Sequence, residues 1–295
     1  MTRALRRALP SLFPPLLLLL ALCFPAACVR GVKTGLETGL FSLIPSLFPS
    51  LVLSRLAVSF LPSPGRRTAL ILPPLLGSLC GFPLGAQLCV NLYRRGALSK
   101  KDAEDLLFCS NNAGGIFLVS VCGVGLFGQA RIGYFLLAAQ SVAVLCFFFL
   151  RFGKSLLRRE ASRTPRLAKS PSLSGEWHRS LKEAGDACVM LLSCVMFFSF
   201  LTELFACLFK PAPFFRALIS LFSELAGGTA ALSALPTETA FLLCCGGVGW
   251  GGCSVLMQSL LFVKESDLDP KRLWQGKISL AAAMLFFGYF FKKLL

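Results

Sequence analysis

"CGFPLGAQLCVNLYRRGALSKKDAEDLLFCSNNAGG", residues 80–115, is the stretch on which the fold turns. It closes an apolar run, halts at Gly81, Pro83 and Gly85, and turns through a basic loop. It then returns as an apolar run that carries Asn111 and Asn112. Residues 69–91 are long enough to cross a bilayer, which takes about 20 apolar residues. Both flanking loops are basic, however, with Arg66 and Arg67 before and Arg94, Arg95, Lys100 and Lys101 after. A full crossing would place one of them outside, against the preference of Lys and Arg for cytoplasmic loops. The pattern predicts a re-entrant hairpin over 69–91, broken near Pro73-Pro74 and Gly77 or at Gly81–Gly85. Irregular backbone at membrane depth is tolerated only where it is buried in protein or lines a cavity. Such broken half-spans are what transport sites are made from.

The rest of the chain fits that reading. Of its 295 residues 55% are hydrophobic and only 15% charged, against about 25% charged in soluble domains. This predicts an all-α polytopic membrane protein surrounded by lipid. The net charge of +16 sits in short loops, where it sets topology. No basic face with interleaved aromatics points to nucleic acid. The 13 cysteines lie almost wholly inside apolar runs, none spaced C-x-x-C, and read as small packing residues. The single histidine, His178, lies in a hydrophilic stretch, so neither a metal site nor any other cofactor is expected. No Walker loop, G-x-S-x-G or H-E-x-x-H occurs, and no enzymatic activity is expected.

The N-terminal "MTRALRRALPSLFPPLLLLLALCFPAACVRG" has the basic start and apolar centre of a signal peptide, and Ala26-Ala27-Cys28 resembles a lipoprotein cleavage site. The length of the run and the spans that follow favour an uncleaved anchor over 1–30, crossing at about 11–29. A second span, "GLFSLIPSLFPSLVLSRLAVSFL" from Gly39, is expected to kink at Pro45 and Pro49. Spans at about 106–127 and 131–150 complete a first repeat, 31–150. The stretch 151–183 holds nine Lys/Arg and three Glu and reads as a cytoplasmic linker. A second repeat, 184–295, follows in the same order. "FPSLVLSRL" (48–56) aligns with "MFFSFLTEL" (196–204), placing Arg55 opposite Glu203, with which it could pair. "GFPLGAQL" from Gly81 matches "GWGGCSVLMQSL" from Gly249, putting the second hairpin at 229–262. The last span, about 277–291, is expected to bring Lys292 and Lys293 inside. The expectation is about six full crossings plus two re-entrant hairpins in two inverted repeats.

A polar residue inside a bilayer is a functional candidate, or else a bridge between helices. Asn111 and Asn112 point about 100° apart on a helix, so one can face a cavity while the other ties down a hairpin. Ser110 and Gly114 extend that patch. Gly81, Pro83 and Gly85 permit close backbone approach, and unpaired amides at a half-helix N-terminus attract carboxylates. Gln87 has counterparts in Ser254 and Gln258. These ten residues form the candidate substrate site. Glu224 and Glu238 are candidates for ion coupling.

The segment "GFPLGAQLCVNLYRRGALSKKDAEDLLFCSNNAGGIFLVSVCGVGLFG" resembles the YlbJ-type sporulation integral membrane proteins, also called stage V sporulation protein V, which carry the nucleoside-recognition Gate domain. "IPSLFPSLVLS", "ELAGG" at Glu224–Gly228 and "GGCSVLMQ…ESDLDPKRLWQGK" extend the likeness over nearly the whole chain after about residue 30. The chain departs from the pattern with Phe82 for the usual tyrosine and Ala113-Gly114-Gly115 where Ser-Gly-Pro is common. The resemblance implies a concentrative-nucleoside-transporter-like fold in the cell membrane, specifically the outer forespore membrane. It also implies movement of dipicolinic acid, a small anionic substrate, from the mother cell toward the spore. A carrier of nucleosides or another small anion stays open on the same plan, as does a non-transporting scaffold for spore assembly. Coupling ion, homo-oligomer formation and protein partners are not legible in the residues.

Overall fold

In the computed structural model, which describes residues 3–60, 65–157, 172–264 and 266–292, every regular element is helical. α1 (Arg3–Cys23) ends at Phe24, and α2 (Pro25–Thr38) runs through a π-helical turn, Gly39–Leu43, into α3 (Ile44–Ser59). α4 (Arg66–Cys80) and α5 (Leu84–Arg94) flank the Gly81–Pro83 break. α6 (Lys100–Ser110) stops at Asn111, and a π-helical segment, Phe117–Leu126, resumes its course. α7 (Ala130–Leu157) and α8 (Leu173–Phe209) follow, the latter capped by the Ser172 hydroxyl. α9 (Pro213–Ser223) and α10 (Leu225–Ala231) meet at Glu224. α11 (Thr237–Trp250) and α12 (Cys253–Lys264) are separated by Gly251-Gly252, and α13 (Lys271–Phe291) closes the described chain. Four stretches, Pro25–Ser59, Ala130–Lys154, Leu173–Phe209 and Thr237–Lys264, are long and apolar enough to cross a membrane. Large apolar side chains such as Phe41, Leu150, Phe222 and Phe286 are exposed along the helices. This is the make-up of an all-α, multi-pass membrane protein.

The spans expected at 11–29 and from Gly39 are not separate. The chain breaks once, at Phe24, and then runs helically for 35 residues. Glycines spaced four apart explain the continuity. Gly31 and Gly35 face α8 so closely that a methyl group on either would stand 2.7 Å from Phe200 Cα or Met196 Cα. Small residues on one stripe let two helix backbones approach, the usual glue between helices in lipid. The turn widens over Gly39–Leu43, just ahead of Pro45, whose ring would otherwise press on the carbonyl four residues back.

Ion pairs define the two ends of the bundle. At one end Arg66, at the start of α4, holds Asp102, just past α5, with bonds of 2.9 and 3.0 Å. Asp105 meets Arg151 at 3.2 Å and Arg272 at 3.4 Å, and Lys100 meets Asp267 at 3.0 Å. The Tyr93 hydroxyl first, and the Lys100 ammonium second, hold the exposed Asp267 carboxyl below the usual carboxylate range. This basic end gathers the 92–105 loop, the end of α7 and the turn before α13. The opposite end gathers Glu203 with Arg30 (3.2 Å) and Arg216 (3.0 Å), and Glu238 with Lys292 (3.6 Å).

Two segments fold back on themselves. α4 and α5 leave and rejoin the basic end, with Gly77 so close to α5 that a methyl group there would lie 3.2 Å from Gly85 Cα. α9 and α10 do the same from the opposite end, with Gly228 packed on the Leu221 backbone. In the second half the helices that turn back on one another are α9 and α10, whereas the sequence reading placed a hairpin at 229–262. Within 229–262, α11 and α12 form one apolar stretch, Thr237–Lys264, interrupted at Gly251-Gly252. Arg55 and Glu203 stand apart, Arg55 bonding Glu183 at 2.5 Å. Lys292 lies at the end opposite to Arg151, so the C-terminal helix does not return to the face of the linker. Of that linker, 158–171 lies outside the described residues, and helix occupies the remainder almost entirely.

Candidate functional site

Four backbone interruptions meet in the interior. Gly81, with φ of 89°, is so near Gly114 that a methyl group would stand 2.8 Å from its amide nitrogen. In the other half Gly252, with φ of 87°, approaches Glu224 Cα at 3.1 Å on the same measure. Glycine is needed at both because left-handed backbone and contact with another main chain coincide there. The tip of each fold-back thus abuts the interruption of a span from its own half. Phe82, Gly114, Glu224, Ser254 and Gln258 line one small cavity of about 30 Å³ between them. That is about the room one water molecule takes up in the liquid.

Wider spaces flank this constriction. Towards the basic end, Gln258 and Gln87 line a space of about 270 Å³ with Arg55, Glu183 and Asp186. It shares Arg55, Gln87 and Glu183 with an outer vestibule of about 280 Å³ bearing Arg94, Arg95 and Arg179. Towards the other end, Glu224 lines a recess of about 120 Å³ with Glu203 and Arg216. Gln258 and Glu224 are thus the residues shared between the constriction and either side.

The sequence-predicted residues separate into groups. Gly81, Pro83, Gly114, Ser254 and Gln258 stand at the breaks or on the cavity wall. The Ser254 hydroxyl is fully buried without a hydrogen-bond partner. Gly85 packs on the Ser110 carbonyl, so these two hold the fold-back against α6. Asn112 Nδ2 donates to Ser78 Oγ at 3.1 Å and to the Cys109 carbonyl at 2.9 Å, which ties α6 to α4. Asn111 is buried with both carboxamide atoms unpartnered. Gln87 accepts from Arg55 Nη2 at 2.7 Å and belongs to the vestibule. Glu224 accepts from the amides of Ala226 (2.9 Å) and Gly227 (2.5 Å), capping α10. Glu238 lies on the surface beside Lys292, away from the cavity.

Two residues at the centre escaped the sequence reading. Lys277 is 2% exposed, and its Nζ donates to the Asn111 carbonyl at 2.8 Å. Gln140, from α7, accepts from the Ala113 amide at 3.1 Å and donates to the Ala113 carbonyl at 2.9 Å. It restores to the broken backbone both bonds that a helix would have supplied. A lysine within an apolar 21-residue helix was the available signal for the first. All thirteen cysteines are free, and no cluster of three or more His, Cys, Asp and Glu side chains exists among the described residues.

Comparison with protein-family models, with characterised proteins and with solved structures finds no match to this chain.

Proposed function

We propose that this chain is a secondary transporter for a small polar solute, built as two inverted repeats. In this reading α2–α3, α6 with its π-helical continuation, α7, α8, α11–α12 and α13 are six full crossings, with α1 ahead of them. α4–α5 and α9–α10 are hairpins that enter the membrane from opposite faces. The basic end is cytoplasmic, by the preference of Lys and Arg for that side. One observation supports the proposal: two helix pairs that turn back at opposite ends meet two interrupted spans at a mainly apolar constriction, where Glu224, Ser254 and Gln258 are the polar residues, with open space on both sides. Broken helices paired across an inverted repeat, with the site near mid-depth, are the general plan of secondary transporters. The centre is too narrow to pass a solute, so alternating access requires the halves to shift.

The substrate comes from the resemblance alone. YlbJ-type proteins imply dipicolinate and the outer forespore membrane. The vestibule carries Arg55, Arg94, Arg95 and Arg179 against Glu176 and Glu183, and this net positive balance suits a dianion approaching from the cytoplasm. The test is uptake of radiolabelled dipicolinate into proteoliposomes containing the purified chain, with uridine as competitor. Saturable uptake that uridine leaves unchanged is expected. Uptake of uridine instead would transfer the same scaffold to nucleosides, and uptake of neither would end the transport reading for both.

A further inference from the structure

Lys277 has no carboxylate partner among the described residues, although it is among the largest fully buried side chains. An ammonium taken out of water without compensation is costly. What surrounds it supplies the compensation. Its Nζ bonds the carbonyl of Asn111, the residue at which α6 ends, at 2.8 Å. A methyl group on Gly251, the residue at which α11 ends, would stand 3.1 Å from the same nitrogen. The face of the Phe82 ring lies 4.5 Å away, a cation–π distance. Gly276, the preceding residue, packs directly on the Phe108 backbone, which brings α13 close enough for the lysine stem to reach the end of α6.

The ammonium therefore stands where the C-termini of two half-helices, one from each repeat, converge. Each such end carries roughly half a negative charge. Two of them facing one another in a water-poor interior repel unless a cation lies between. In transporters with interrupted helices, such ends and the unwound carbonyls beside them commonly hold a coupling ion. We propose that Lys277 is a tethered cation that takes the place of a metal ion between the ends of α6 and α11, so that the two interrupted spans close on each other without sodium. A compact ammonium on a flexible stem suits this place better than a planar guanidinium. The proposal deepens the transporter reading, on which it rests, by assigning the ion requirement of the same centre.

The test needs no substrate. The purified full-length chain is melted in detergent in sodium, potassium or choline chloride at equal ionic strength. The parent protein is expected to melt at one temperature in all three, because no metal binds. Lys277→Met, which keeps most of the volume and removes the charge, is expected to melt ~4 °C or more below the parent. Lys277→Ala leaves space between the helix ends and is expected to regain stability with sodium or methylammonium but not choline, as a ligand stabilises the state it binds. Sodium-specific stabilisation of the parent overturns the proposal, and that measurement stands even if neither neutral variant accumulates. Lys277→Met melting with the parent overturns it equally. Uptake of neither dipicolinate nor uridine under any gradient, beside a parent melt indifferent to sodium, would sink the transport reading and leave the tethered cation standing.

Discussion

The two interrupted spans that face each other at the centre are held by different means. In the first, side-chain amides take over from the missing helix: Gln140 holds both backbone groups of Ala113, and Asn112 binds Ser78 and the Cys109 carbonyl. In the second, Gly251 and Gly252 pass from α11 to α12 with φ of 84° and 87°, and among the described residues no side chain hydrogen-bonds to either. What fixing exists lies to one side. Trp250 Nε1 donates to the Phe222 carbonyl at 3.0 Å, and the two rings stack, joining the end of α11 to the second fold-back. Interrupted backbone can thus be made rigid by neighbours or left able to absorb changes of φ and ψ. Conformational change gathers at the latter kind of position. The glycine pair is therefore the position at which the second half could absorb such a change, while the first break is clamped.

Breaking the clamp should have the largest effect. Gln140→Leu strands a buried amide and a buried carbonyl that neither lipid nor a helix can satisfy, at about 1–3 kcal/mol each. A loss of roughly 2–6 kcal/mol in thermal unfolding, with poor accumulation, is expected. A variant that melts within a degree of the parent would mean that the break holds itself.

The hinge comes next. Gly252→Ala forces a side chain into left-handed backbone, at about 1–2 kcal/mol, and sets a methyl group 3.1 Å from Glu224 Cα. Turnover in proteoliposomes should fall several-fold more than that loss of stability accounts for. Transport at the parental rate would remove the hinge from this position. Asn112→Ala should be milder, about 0.6–2 kcal/mol by thermal unfolding, since polar bonds between helices in membranes average about 0.6. Unchanged melting would show that its two bonds add nothing to the frame.

What the sequence made legible divides along the same line. The break between α4 and α5 could be read from Gly81 and Pro83, and in space Arg66 bonds Asp102, so the two basic loops share one end of the bundle. The second fold-back was hidden. Its turn is a carboxylate cap at Glu224 on the amides of Ala226 and Gly227, with Gly228 against Leu221, while the glycines at 249–252 interrupt a longer apolar stretch. The alignment of Arg55 with Glu203 misled for a geometric reason. Arg55 lies with Glu183 towards the basic end and Glu203 with Arg30 and Arg216 at the opposite end, so the two are not neighbours. Lys277 was masked by its surroundings, since it closes the charged run "KESDLDPKRLWQGK" and reads as the end of a turn. The helix in fact begins at Lys271, which puts the lysine almost two turns inside.

Asn111 gives the smallest effect on stability and the sharpest one on function. Its backbone carbonyl is engaged by Lys277, but Oδ1 and Nδ2 are both buried without a partner. A carboxamide in that state weakens the fold, so Asn111→Ala should melt with the parent or up to about 1 kcal/mol above it. Its neighbour Asn112, equally buried but with Nδ2 donating twice, supplies the contrast. If a solute group provides the missing partners during transport, the alanine variant loses a buried polar contact worth about 1–3 kcal/mol, roughly five- to more than a hundredfold in affinity. That loss should appear as a raised half-saturation concentration for uptake in a protein of parental stability. Cys122→Ala, a packing position at 0% exposure, serves as the control and should leave uptake near the parental level. Lower melting of Asn111→Ala would mean that the amide already has a structural partner. Parental uptake with parental melting would move the site to Ser254 and Gln258 on the far wall of the constriction.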